Sequence, residues 1–138
     1  MTTDPTIHQL MERFYSLLNA STDPTIDVLD GVVGDGWRNW GSNDTSRSSA
    51  EFTQVVLGLR QAVPDLTWTI DEIIEARDRV TVRGHGRGTP VAELFGVAPT
   101  GRSFNVLSID IHTIANGRIA STFHLEDWAA ATQQLLGM

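Results

Sequence analysis

The sequence has no cysteine. Disulfides and thiolate chemistry are therefore excluded, and zinc sites lose their commonest ligand. No apolar run approaches the roughly 20 residues that a membrane-spanning helix needs, so no membrane partner is expected. Positive charge is scarce. Lys and Arg number 10 against 17 Asp and Glu, a formal net charge of -7, which argues against a nucleic-acid partner. The opening MTTDPTIHQL is acidic and polar, unlike a signal peptide, so the expected address is the cytoplasm. What remains is ordinary for a globular protein: 138 residues, 41% hydrophobic and 20% charged. That length suits one domain over residues 1–138 with one core, and is too short for two.

The first half of the chain reads as helical. TTDPTIHQLMERFYSLLNA places Ile7, Leu10, Met11, Phe14, Leu17 and Leu18 on one helical stripe, with Asp4 as N-cap and Pro5 at the first helical position. STDPTIDVLDGVVG repeats the Asp-Pro signal at Asp23 and Pro24 and predicts a shorter second helix. WRNWG is a short strand or extended turn. SSAEFTQVVLGLRQAVPD carries a capping box from Ser48 to Glu51 ahead of Phe52, Val55, Val56 and Leu59, and Pro64 stops that helix.

The second half turns to strands. LTWTIDEIIEA and RVTVRGHGRG meet at Arg77-Asp78, and TPVAELFGVAPTG reads as a loop with one helical turn. RSFNVLSIDIHTI and RIASTFHLE then flank an Asn116-Gly117 turn. Asp127 caps a closing helix. The expected class is α+β, with antiparallel strands packed on helices.

Parity decides which strand residues meet, because successive side chains point to opposite faces. Ser108, Asp110 and His112 are even, as are Thr122, His124 and Glu126. A two-residue loop would pair odd with even and mix the faces. A three-residue loop with Gly117 left-handed pairs even with even, and the apolar pattern selects it. Asp110 and His124 then share a face. Arg83, His85 and Arg87 also share a face on their strand, as do Trp37 and Asn39 on theirs. A wet sheet surface is one reading of these polar faces, and a polar cavity is the other.

The segments RFYSLLNA, LRQAVPDL, GTPVAELFGVAPTGR and NGRIASTFHLEDWAAATQQLLG resemble the SnoaL-like polyketide cyclases, within the nuclear-transport-factor-2-like superfold. The likeness runs along nearly the whole chain. It implies a conical barrel, a curved antiparallel sheet packed on N-terminal helices around an apolar pocket. It also implies no metal, no organic cofactor, and a homodimer or higher homo-oligomer. In the cyclases a His precedes the Gly-Lys/Arg turn and the catalytic Asp follows it. Aligned through Gly117-Arg118-Ile119, those positions are Asp110 and His124, so the pair is swapped here. Asp127 matches a further family acid but reads as a helix cap. In the related limonene epoxide hydrolases, the Arg and Asp of the long middle strand match Arg83 and His85. Their water-holding Tyr and Asn match Trp37 and Asn39, and their second Asp falls on His124.

The resemblance implies acid–base work on an enolisable carbonyl compound, with an aromatic polyketide as the small-molecule substrate. Histidine suits such work near neutrality, its unperturbed pKa being about 6.5. His124 is expected as general base or acid, with Asp110 as its orienting partner. Asn39 and Arg83 would hold the enolate oxygen. His85, Trp37, Tyr15 and Arg87 complete the expected substrate-binding set, while His112, beside the turn, reads as a surface group. A metal site of Asp110, His112, His124 and His85 is the minor alternative, since arginines nearby would repel a cation.

Three readings of function follow. The first is a cofactor-independent cyclase or tailoring enzyme, the tailoring branch including hydroxylation of an anthracycline precursor. The second is an epoxide or lactone hydrolase, opposed by the two His residues where acids are needed. The third is a non-catalytic pocket for a small ligand. The apolar residues Ile109, Ile111, Phe123 and Leu125 would meet a second subunit through the outer sheet face.

Overall fold

The computed structural model describes residues 6–138. The proposed caps Asp4 and Pro5 lie outside them. Helix α1 spans Ile7–Ser16, and Thr6 caps it through a capping box with Gln9. Its buried face carries Leu10, Met11, Phe14 and Tyr15. Helix α2 spans Ser49–Ala62 and starts at the expected box, Ser48 with Glu51.

The predicted helix over residues 21–34 does not form. The Asp23 carboxylate accepts from the Thr25 backbone N–H at 2.9 Å and from its hydroxyl at 2.7 Å, closing a local turn. Such a turn competes with helix for the same backbone groups. Arg60 of α2 then donates to the carbonyls of Leu17, Ala20 and Thr22 and holds this stretch as a string of turns.

Six strands follow: β1 (Asn39–Trp40), β2 (Ser46–Arg47), β3 (Thr67–Ala76), β4 (Arg79–Gly88), β5 (Phe104–Ala115) and β6 (Arg118–Glu126). They form one curved sheet in the order β2-β1-β6-β5-β4-β3, and the sheet does not close. The expectation of a purely antiparallel sheet is corrected at one seam, where β1 runs parallel to β6. Helix α3 (Trp128–Leu136) packs on β5, with Asp127 as its N-cap, as expected. The helical turn expected in TPVAELFGVAPTG is replaced by a tight bridge between Leu94 and Val97. No helix among the described residues is long and apolar enough to cross a membrane.

The β5–β6 hairpin reaches the expected register by a different route. Its turn has two residues, Asn116 (φ 54°) and Gly117 (φ 73°), with Ala115 facing Arg118. Both positive φ angles suit a type I′ turn. Parity is restored two positions later, where Ile114 faces Ile119 but Thr113 faces Ser121. The extra residue, Ala120, is a β-bulge. Beyond it Asp110 stands opposite His124 and His112 opposite Thr122.

Burial alternates along β4 and β5, with even residues inward and odd residues outward. Gly84, Gly86 and Gly88 are therefore inward. A side chain on Gly86 would overlap the Trp68 ring, and one on Gly88 would overlap Val63. Glycine here lets the core approach the sheet backbone.

Candidate active site

The inner face of β5 and β6 carries polar side chains into the core. Ser108, Asp110, His112 and Thr122 are all buried, as are Trp37 and Asn39 from the segment leading into β1 and from β1 itself. Buried polar groups need partners, and these supply one another. The Trp37 indole N–H donates to Thr122 Oγ1 at 3.0 Å, and Thr122 Oγ1 lies 2.8 Å from His112 Nδ1. His112 Nε2 is 2.9 Å from the Tyr15 hydroxyl, which donates to Asp110 Oδ2. Asp110 Oδ1 has no hydrogen-bond partner among the described residues. Separately, the Trp68 indole N–H donates to Ser108 Oγ at 3.0 Å.

Burial dominates the electrostatics of this chain of groups. It pushes the Asp110 carboxyl up to about 7, against the Tyr15 hydrogen bond, which favours the anion. Burial lowers His112 to about 3, so its imidazole is neutral at every physiological pH. Burial first, and then the charge of Asp110, hold the Tyr15 phenol well above its usual value.

Next to this network, His124 and Glu126 face a pocket of about 560 Å³, within the usual range for small-molecule sites. Phe52, Leu59, Phe95 and Trp128 contribute apolar wall, and Arg47 and Glu93 are its other charged residues. Asn39 Oδ1 lies 2.7 Å from His124 Nδ1. An amide oxygen only accepts, so Nδ1 carries the proton and Nε2 of the neutral ring keeps its lone pair. Nε2 is 3.6 Å from Glu126 Oε2. Burial raises the Glu126 carboxyl, with the charge of His124 pulling the other way. Gly41 admits the backbone against the imidazole, because a Cβ there would sit 3.3 Å from His124 Cε1.

The structure brings together Asp110, His124, Asn39, Trp37 and Tyr15. Asp110 and His124 share a face in direct register, but each hydrogen-bonds to another residue. Arg83, His85 and Arg87 do not join them. They point outward from β4, opposite Ile109, Leu107 and Asn105 of β5. Arg83 donates to Glu72 at 3.2 Å, and His85 Nδ1 lies 2.6 Å from Asp71. A bulge between Ile70 and Glu72 turns these acids to the outer side. A metal set that joins His85 to Asp110 and His124 is therefore ruled out by the sheet, which lies between them. His112 is buried rather than a surface group.

A family model for SnoaL-like polyketide cyclases matches residues 9–135. The chain belongs to this family. The fold is similar to that of TsrD from Streptomyces laurentii, at 25% identity and TM-score 0.82 over 100% of both chains. It is also similar to IdmH from Streptomyces antibioticus, a candidate polyketide cyclase: identity 24%, TM-score 0.79, covering 95% of this chain and 98% of that one. AclR from Streptomyces galilaeus, a candidate hydroxylase, shares the fold at 19% identity and TM-score 0.78, over 94% and 80% of the two chains. No curated protein sequence matches the chain.

Four residues of the site were not singled out from the sequence. Glu126 and Thr122 lie on the same even face as His124, so parity alone could have found them. Arg47 lies in a polar stretch with no periodicity, and only the pairing of β2 with β1 brings it to the pocket. Trp128, the first residue of α3, forms pocket wall beside Phe95, their ring centroids 4.9 Å apart.

Proposed function

We propose that this member of the SnoaL-like family is a cofactor-independent acid–base enzyme acting on an aromatic polyketide intermediate, with His124 as the proton-transfer group. The observation that carries this reading is the His124 ring itself. Its Nδ1–H is held by Asn39 and its Nε2 lone pair lies beside Glu126 on the wall of an aromatic-lined pocket. A flat, conjugated ligand fits such walls through stacking and apolar contact.

In the proposed step Nε2 removes a proton alpha to a carbonyl. The imidazolium formed is stabilised by Glu126 on one side and the Asn39 oxygen on the other, an arrangement analogous to a hydrolase triad. The enolate carbon either attacks a second carbonyl of the same molecule, whose oxygen becomes a hydroxyl by taking the proton back from Nε2, or is itself reprotonated from Nε2. Arg47 is the arginine on the pocket wall and takes the charge-offsetting role expected of Arg83. General acid–base catalysis of this kind contributes about 10²–10⁴-fold. Asp110, behind His124 on the inner face, is a second group able to hold a proton near neutrality. The outer apolar face supports a homodimer as the working assembly.

The test uses anthraquinone-type polyketide acids and esters, assayed without added metal, with and without oxygen. His124→Ala should retain ligand affinity and lose turnover; full turnover in that variant overturns the proposal. Oxygen dependence would assign the hydroxylating branch, and indifference to oxygen the cyclase.

A further inference from the structure

The buried chain Trp37–Thr122–His112–Tyr15–Asp110 is longer than packing requires, and its donors and acceptors can be assigned one by one. The indole N–H of Trp37 only donates, so Thr122 Oγ1 accepts from it. A neutral imidazole has one donor and one acceptor. When Asp110 is ionised it only accepts, so the Tyr15 O–H must point to Oδ2. The Tyr15 oxygen is then free to accept, and His112 carries its proton on Nε2. His112 Nδ1 is bare and accepts the Thr122 O–H. Every donor in the chain has an acceptor.

Adding one proton from solvent to Asp110 reverses this order. A proton on Oδ1 would be a strong buried donor with no partner among the described residues. A proton on Oδ2 instead donates to the Tyr15 oxygen, and the Tyr15 O–H turns to His112 Nε2. That nitrogen must then give up its proton while Nδ1 gains one, which donates to Thr122 Oγ1. The only donor released is the Thr122 hydroxyl, a weaker one than a carboxylic acid. The sum is one proton gained, on Asp110.

We infer that Tyr15 and His112 are positioning residues for Asp110, tying the charge on its carboxyl to the tautomer of the His112 ring. His112 can answer only in this way, since burial denies it the cationic form. The other titratable groups facing Asp110 are His124 and Glu126 on β6; β4 presents Val82 to it. Phe14 from α1 covers the His112 ring, edge to face at 5.1 Å. The consequence for catalysis is that Asp110 stores a proton without a second charge arising in the core. As a role in turnover this rests on the proposed acid–base reaction. As a property of the fold it does not.

The experiment needs no substrate. In protein labelled with ¹⁵N-histidine, the two His112 nitrogens are followed by NMR on either side of about pH 7. Nε2 should carry the proton at high pH and Nδ1 at low pH, exchanging in one transition. Asp110→Asn should abolish the exchange. Tyr15→Phe should freeze His112 in one tautomer while Asp110 still titrates, with its midpoint moved upward because the carboxylate has lost a donor. A single tautomer in the wild type across the range overturns the inference, whether or not the Tyr15 variant folds. So does an unchanged exchange in Tyr15→Phe. A fixed tautomer together with a His124→Ala variant that loses turnover would remove the relay and leave the proposed reaction standing.

Discussion

Asp110 and His124 face each other across neighbouring strands, yet each is bound to a residue from elsewhere: Asp110 to Tyr15 of α1, and His124 to Asn39 of β1 at 2.7 Å. The catalytic question therefore divides in two. One residue sets the proton on His124, and a different network sets the proton on Asp110.

The first consequence concerns Asn39. Asn39→Ala removes the acceptor that fixes His124 Nδ1–H, so the ring can take the other tautomer and rotate. Turnover should fall while KM changes little, because the lost contact acts on the proton in flight. The double variant with His124→Ala should be no slower than His124→Ala alone. Steady-state kinetics on the four proteins of this cycle check it, and additive losses would count against the assignment.

Arg83 should be dispensable for catalysis. Its pairs with Asp71 and Glu72 are on the outer surface, where its side chain is 47% exposed. Exposed pairs of this kind contribute about 0–1 kcal/mol. Arg83→Ala should leave kcat/KM intact and Arg47→Ala should lower it. The reverse result would return the site to the outer face.

Stability should depend on pH through Asp110 with a definite sign. Its folded pKa, about 7, lies above the ordinary aspartate value of 3.8, so the native state binds the proton more tightly than the unfolded chain. The stabilisation is complete below the unfolded value and is lost as pH rises towards about 7. His112 acts oppositely: its folded value of about 3 lies below 6.5, so its stabilisation is present above the unfolded value and fades as pH falls. Asp110→Asn removes only the first effect. Denaturant titrations should show the variant gaining on the wild type between pH 4 and pH 7, with no further gain above. A pH-independent difference would mean that the carboxyl is not held in its neutral form.

Assembly gives the fourth expectation. Leu107, Ile109, Ile111, Phe123 and Leu125 are 43–72% exposed on the outer sheet face, and Trp40 stacks on Phe123 there with ring centroids 6.1 Å apart. A continuous apolar face of this kind is uncommon on a monomer. Light scattering should give a dimer, and Phe123→Asp should convert it to monomer. A monomeric wild type at micromolar concentration would refute it.

Much of this fold was legible because its signals are local. The Ser48–Glu51 box, Pro64, the Asn116-Gly117 turn and the Asp127 cap each act within a few residues, and each stands where the sequence places it. The stretch after α1 was not legible. Its conformation depends on Arg60, about 40 residues away, and on an Asp23 side chain that can cap a helix or close a turn equally well. The faces of β4 were misread for a physical reason. Alternating Arg, His and Gly looks like a polar lining set against empty positions, whereas the glycines mark the inward side, made room for by Trp68 and Val63. The pairing of Asp110 with His124 was right in register, but their actual partners come from α1 and β1, and no strand pattern could supply them.

Ala120 is the slack in the hairpin. If β6 paired straight on from Ile119 with Ala120 in the ladder, every later residue would slip by one, turning His124 and Glu126 out towards the solvent and Phe123 and Leu125 in towards the pocket. Loss of this one codon removes the bulge instead, and Thr113 still faces Ser121 and Asp110 still faces His124. A lineage carrying this scaffold can therefore shed Ala120 without moving the site, whereas loss of Phe123, with the bulge kept, would set His124 opposite Ile111 on the outer face.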